Sequence, residues 1–433
     1  MDGITIIGKT DWRNSNQTFG IKDNDRLGHI YCIGKTGTGK STLLMNMAIS
    51  DIERGNGLCI IDPHGDIAEN ILHYVPKARV TDVIYFNATD TEFPIGFNPL
   101  HEVANSEHST VTSSLISTFK KIWADSWGPR LEHILRFTLL TLLQYRHATL
   151  LDIQQLLTNT YFRNGVLSGI EDSLIRNFWE QEFDKYAPQL KSEAIAPILN
   201  KIGILIASLP LRNIFGQHRS FSMREILDNK KILLCNLSKG LIGEDASALL
   251  GSMILTAMQS AALHRASYEP HHRVPFYLYV DEMHSFVTLS FVDILAESRK
   301  FGLSLFLTHQ YIEQLHEKIR AAIFGNVGTF ISFRIGAEDA KYVAQEFYPV
   351  FTEEDLIHLP RYSMYLKLMI DGATSKPFSA CTMPLKDYAI SNKNEIVLLS
   401  RKTYGTERKV VEKEITVSPS LQHANEDTLF SNS

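Results

Sequence analysis

A chain of 433 residues, at roughly 150 residues per domain, has room for two or three domains, or for one large α/β domain carrying an insertion. Hydrophobic residues at 44% and charged residues at 21% match a globular average and exclude wholesale disorder, while 25 glycines and 15 prolines exclude a collagen-like or linker-dominated chain. With 43 Lys plus Arg against 48 Asp plus Glu, the net charge of −5 excludes a generally basic nucleic-acid binder but not a local basic surface, because DNA responds to the charge that faces it.

Residues 1–28 read as a short β-rich lead-in, with ITIIG a strand and polar turns after it. HIYCIG (29–34) is the next strand, and a glycine-rich turn follows. In KSTLLMNMAISDIERG, Leu43, Leu44, Met47 and Ala48 recur at helical spacing. Gly55-Asn56-Gly57 stops that helix. LCIID (58–62) is a strand again, so the chain opens a parallel α/β sheet. VTDVIYF (80–86) adds another strand.

From about residue 102 to about 228 the patterns are almost only helical, as in RLEHILRFTLLTLLQY and SEAIAPILNKIGILIASL. Strands resume with KKILLCNL (230–237), VPFYLYVDE (274–282), LSLFLTHQ (303–310) and GTFISFRI (328–335). SMYLKLMIDG (363–372) is a late strand and turn. The expected organisation is an α/β domain from 1–101 and 229–387, interrupted by an all-helical insertion at 102–228. A polar tail at 388–433 is expected to form an exposed helix and then disorder over about the last 17 residues.

Cys32, Cys59, Cys235 and Cys381 show no CxxC or zinc spacing. Three of them lie in or beside apolar runs and read as buried thiols of a reduced, intracellular protein. The N-terminus carries no basic region followed by a long apolar run. The best membrane candidate, Ile134 to Tyr145, is short and contains Arg136, so the chain is not expected to span a membrane by itself.

Gly34-Lys35-Thr36-Gly37-Thr38-Gly39-Lys40-Ser41 fits G-x-x-x-x-G-K-[ST] in full, with Thr42 following. Glycines let the backbone turn so that successive N–H groups point at phosphate oxygens. The helix start adds partial positive charge. Lys40 would reach the β- and γ-phosphates, and Ser41 would offer a hydroxyl to Mg²⁺.

Such a loop needs an acid at the end of a neighbouring strand. In FYLYVDE, Asp281 and Glu282 emerge where ligands bind in sheets of this kind. Asp281 would enter the Mg²⁺ shell, and Glu282 would orient and deprotonate the attacking water. Asp62 in CIIDPHGD is a competing magnesium ligand, but it lacks the adjacent glutamate and reads as a turn former with His64 and Asp66. Gln310 closes a further strand, where its amide can meet both γ-phosphate and water. Arg299, before that strand, is either a solvated helix-end residue or an arginine reaching a neighbouring subunit's γ-phosphate.

The ordered set IGKTGTGKST, IDPHGD, helical insertion, LLCNLSKG, YVDE, ESRKFGLSLFLTHQ and GNVGTFISFRIGAEDA resembles the HerA/FtsK superfamily. Within it, the set is most similar to TraG/TraD-type coupling proteins of conjugation and type IV secretion. The resemblance covers about residues 1 to 385. It implies a RecA-like P-loop ATPase with ATP and Mg²⁺, usually a homo-hexamer that pumps DNA through a central pore. It makes Gln310 the sensor glutamine and Arg299 the trans-acting arginine, with Arg334 in SFRIG a second phosphate or interface candidate. Many coupling proteins begin with transmembrane helices. Their absence here implies a cytoplasmic protein whose membrane attachment, if any, runs through a partner. Competing functions are a nucleotide-gated cargo scaffold and a protein-secretion ATPase.

Weaker signals read structurally. His271 and His272 form a solvated loop with no third metal ligand. Lys120, Lys121, Trp123, Trp127 and Arg130 mix basic and aromatic character on an ordinary amphipathic helix.

Overall fold

The computed structural model describes residues 3–11, 16–101, 103–124, 127–388 and 390–416. The expected disordered end of the tail lies outside the described residues. The chain divides into two compact units.

The first unit comprises Met1–Phe86, Met223–Gly240 and Ala261–Ser400. Its sheet uses β1 (Ile4–Thr10), β2 (Thr18–Lys22), β3 (Ile30–Ile33), β4 (Gly57–Asp62), β5 (Val83–Asn87), β6 (Ile232–Asn236), β7 (Phe276–Val280), β8 (Leu303–His309), β9 (Thr329–Ser332) and β10 (Ser363–Lys367). A hairpin, β11 (Met369–Ile370) and β12 (Ala373–Thr374), leads to β13 (Phe378–Thr382). The order is β2-β1-β13-β10-β9-β3-β8-β7-β4-β6-β5. Pairings from β9 through β6 are parallel. Those joining β2, β1, β13, β10 and β9 are antiparallel. β3, β4, β6, β7, β8 and β9 are buried along their whole length, so a parallel sheet covered on both faces reads as uninterrupted apolar runs. Cys32, Cys59 and Cys235 are buried free thiols, as their apolar settings imply.

Register brings strand ends together. Ile33 lies opposite His309 and Ser332, and Ile61 lies opposite Val280. Gly34, Asp281, Gln310 and Phe333 therefore follow strand ends along one edge of the sheet, where Asp62 closes β4.

Helix Lys40–Glu53 is tied to the sheet by a buried ion pair. Arg26, 1% exposed, forks onto both oxygens of Asp51, 0% exposed, at 2.6 and 3.0 Å. The Tyr279 hydroxyl donates to Asp51 at 2.6 Å, and the guanidinium lies 3.7 Å from the Tyr277 ring centre. Breaking a buried pair leaves an uncompensated charge. Asp51→Ala is therefore expected to destabilise the protein by about 3–5 kcal/mol in urea unfolding, whereas a loss below about 1 kcal/mol would mean that water reaches Arg26.

The second unit comprises Asn87–Ser222, Leu241–Ser260 and Arg401–Ser433. Its helices include His108–Ile122, Pro129–Gln144, Asp152–Thr158, Thr160–Ser168 and Pro188–Ala207. Phe137 and Phe178 stack at 4.3 Å, and the buried Trp179 indole donates to Thr141 Oγ1 at 2.8 Å. Trp123 stacks on Phe119 at 4.6 Å, and Trp127 donates to Glu132 at 2.9 Å. Trp123 thus packs on its own helix, and Trp127 is held by a hydrogen bond.

Three local features differ from the sequence patterns. β2 and β13 escape pattern reading because they are short, with one and two buried residues. In β2, Gly20 is required, since a Cβ there would sit 2.3 Å from the Thr5 carbonyl oxygen. The single strand expected at 363–372 splits into β10 and the hairpin, which turns at Asp371 and Gly372 with φ of 51° and 78°. The expected exposed helix at 394–415 is two helices, Lys393–Tyr404 and Arg408–Thr416, broken at Gly405, with Ile396 and Val411 buried. One described helix, Glu244–Ser267, is long and apolar enough to cross a membrane by length and composition, and 72% of its apolar window is buried within the fold.

Candidate nucleotide-binding site

The glycine loop hangs between strands. Gly34 N–H donates to the His309 carbonyl at 3.2 Å, and Lys35 N–H to the Arg334 carbonyl at 2.8 Å. Gly39 has φ of 130°, and a Cβ there would lie 2.8 Å from the Phe333 ring. Thr38 Oγ1 donates to the Lys35 carbonyl at 2.7 Å. Lys40 is buried, and its ammonium donates to the Gly34 and Lys35 carbonyls at 2.5 and 3.1 Å. Lys35, Thr36, Gly37 and Ser41 are exposed, and Thr42 is half-buried.

Asp281 and Glu282 follow β7 and are each 5% exposed. Burial, then the neighbouring Asp62 and Glu282, outweigh a hydrogen bond from Thr308 and push the Asp281 carboxyl up to about 6. A buried carboxylate crowded by acids favours a nearby cation. The hard oxygen donors Asp281 and Ser41 suit Mg²⁺, which keeps waters and substrate oxygens as its remaining ligands. No group of three or more His, Cys, Asp or Glu among the described residues could hold a metal by itself.

Glu282 sits at φ 47° and ψ 52°, a left-handed conformation that costs a non-glycine residue about 1–3 kcal/mol. The kink turns its carboxylate out of the strand line toward β8. There Glu282 Oε1 accepts from Gln310 Nε2, while Gln310 Oε1 accepts from Thr36 Oγ1 at 3.0 Å. One amide thus joins the glycine loop to the second acid.

Asp62 has other duties. Its carboxylate accepts from the N–H groups of His64, Ile67 and Ala68 at 2.9, 2.8 and 3.0 Å, capping the turn into helix Asp66–Ile71. His271 and His272 lie in a short exposed turn.

The two arginines separate. Arg334 is exposed, and its carbonyl holds the glycine loop. Arg299 is exposed in the turn Ser298–Phe301, before β8 begins. β8 then runs seven residues, roughly 23 Å, to its end at His309. Arg299 is therefore at the opposite edge of the sheet from its own loop.

Arg361 carried no sequence signal. Its Nε donates to the Gly37 carbonyl at 3.0 Å, and Tyr362 N–H donates to the Thr38 carbonyl at 2.8 Å. Holding these two carbonyls fixes the path of the loop backbone at Gly37 and Thr38. Arg361→Ala is expected to raise the dissociation constant of a fluorescent ADP by about three- to tenfold, the worth of roughly one hydrogen bond. An unchanged constant would mean that the loop holds its shape without this arginine.

The fold and loop define a RecA-like P-loop NTPase with a helical insertion. The family model for the type IV secretion-system coupling protein DNA-binding domain matches residues 17–348, and the chain belongs to that family. Among solved structures, the bacterial conjugative coupling protein TrwBdeltaN70 is similar at 16% identity, covering 86% of this chain and 88% of that one, with a TM-score of 0.60. A TrwB structure in complex with ADP and Mg²⁺ matches with the same identity and TM-score, covering 86% of this chain and 89% of that one. VirB4 of Thermoanaerobacter pseudethanolicus is similar at 15% identity, covering 89% and 97%, with a TM-score of 0.56. At such identities the likeness is one of fold. No curated protein matches the chain.

Proposed function

We propose that this chain is an ATP-hydrolysing motor subunit that moves DNA, or DNA–protein cargo, in conjugation or type IV secretion. The ATPase domain comprises 1–101 and 229–387, interrupted in the sequence by the helical insertion 102–228, with 388–433 as a tail. It works as a cytoplasmic homo-hexamer, with a membrane-bound secretion partner.

The observation that carries this reading is the Gln310 amide spanning Thr36 and Glu282. A scaffold that binds nucleotide without hydrolysing it has no use for a buried glutamate linked to the phosphate loop. ATP binds with its β- and γ-phosphates against the loop N–H groups and the Lys40 ammonium. Ser41 and Asp281 would hold Mg²⁺, which when bound neutralises charge developing on the phosphates. Glu282 orients the attacking water and takes its proton. Gln310 reports the state of the γ-phosphate side of the loop to Glu282. Arg299 reaches the γ-phosphate of the neighbouring subunit. ADP and Mg²⁺ in the TrwB structure support the same ligands here, and the family's DNA-binding description supports DNA.

The decisive experiment measures ATP hydrolysis with and without single- and double-stranded DNA, alongside displacement of a triplex strand. Hydrolysis stimulated by DNA and coupled to displacement is expected. Hydrolysis indifferent to DNA, with no displacement, would sink the motor.

A further inference from the structure

His284 stands two residues beyond Glu282, in the turn Met283–Ser285. Its Nδ1 lies 3.5 Å from Glu282 Oε2, on the carboxylate oxygen opposite the one that Gln310 holds. The imidazole is itself braced. Its ring centre lies 5.3 Å from that of His309, which is 0% exposed and whose Nδ1 is 3.1 Å from the Tyr31 hydroxyl. Tyr31 belongs to β3 and His309 to β8, the strands that carry the glycine loop and Gln310. His284 therefore packs against β8, the strand that leads to Gln310.

From this geometry we propose that His284 is a positioning residue for Glu282, fixing the plane of its carboxylate through Nδ1. The inference rests on the reading of Glu282 as the general base. A carboxylate held by one oxygen still swings about its last carbon–carbon bond, and a base whose lone pair swings loses reach to its water. A donor facing the second oxygen stops that rotation. At 3.5 Å the approach is longer than a formed N–H···O bond. Catalytic hydrogen bonds of this kind tighten in the complex with substrate. The arrangement is also local: Glu282 turns left-handed at φ 47°, and the three-residue turn that follows places His284 beside the displaced carboxylate.

The test compares His284→Ala and His284→Asn with the parent protein, reading kcat, KM and the dissociation constant of a fluorescent ADP. The asparagine amide nitrogen falls where Nδ1 lies, so it keeps the donor and removes the ring. His284→Ala is expected to lower kcat about ten- to hundredfold with ADP binding within about twofold, because misplacing a reacting group by an ångström costs that much. His284→Asn is expected to recover most of the loss. Parent-like kcat in the alanine variant would overturn the proposal. So would an equal fall in both variants, which would assign the effect to ring packing on His309, or a loss confined to nucleotide affinity. Glu282→Gln run in parallel separates the two levels. If it retains turnover, the base reading fails; if it is inactive while His284→Ala is not, only the positioning role fails.

Discussion

Glutamine at position 282 is expected to lower ATP turnover by a factor on the order of 10²–10⁴, the usual contribution of a positioned general base. Nucleotide affinity should stay within about twofold, since the loss falls on the transition state and not on binding. The substitution is nearly isosteric, and the remaining amide oxygen can still accept from Gln310 Nε2, so the link to Thr36 survives. The site is 5% exposed, so removing a charge there relieves desolvation and does not threaten folding. What disappears is the lone pair that takes the water's proton. Single-turnover hydrolysis, beside calorimetric titration of ADP, reads both halves. Turnover within tenfold of the parent would show that another group, or none, removes the proton.

The loop and the acid pair were legible because their chemistry is local. Eight consecutive residues match the phosphate-loop pattern, and two adjacent acids follow an unbroken apolar strand. The parallel strands were legible for a similar reason, since burial on both faces leaves no polar interruption in YCI, CII, LLC or LYV. The linkages between these parts were not. Nothing in the spacing of Thr36, Glu282 and Gln310 reveals which oxygen the amide meets, because that depends on the left-handed turn at Glu282. Arg361 lies 324 residues from Gly37 and belongs to no motif, so only the antiparallel flank of the sheet reveals it. That flank was itself hard to read, because β2 and β13 offer one and two buried positions instead of a period-2 pattern. Asp62 shows the converse. Alone at the end of an apolar strand it reads as a metal ligand or a turn former, and only the structure reveals the three backbone N–H groups that it accepts from.

Arg299→Ala is expected to abolish most turnover, by a factor on the order of 10³–10⁵ for an arginine that stabilises developing phosphate charge, while leaving ADP binding unchanged. A role within the same subunit conflicts with its place, at the edge of the sheet away from Gln310. A structural role conflicts with its exposure. The turn beneath it is nevertheless anchored: Ser298 is buried, its Oγ lies 3.4 Å from His29 Nε2, and Gly302 closes the turn at φ 76°. Burial first, then the Arg299 charge, push the His29 imidazole down to about 4, so it stays neutral near neutral pH and adds no like charge beneath the arginine. A charged, planar side chain on a fixed turn, pointing to solvent, suits delivery across an interface. Mixing tests this directly. Arg299→Ala subunits keep a working Lys40, and Lys40→Ala subunits keep a working Arg299. Wherever the two adjoin in the right order, one site regains both groups. Partial recovery of turnover on mixing, at unchanged ring mass by light scattering, is the expected result. Rings of normal mass that stay inactive at every mixing ratio would exclude the trans-acting role and return Arg299 to the solvated surface.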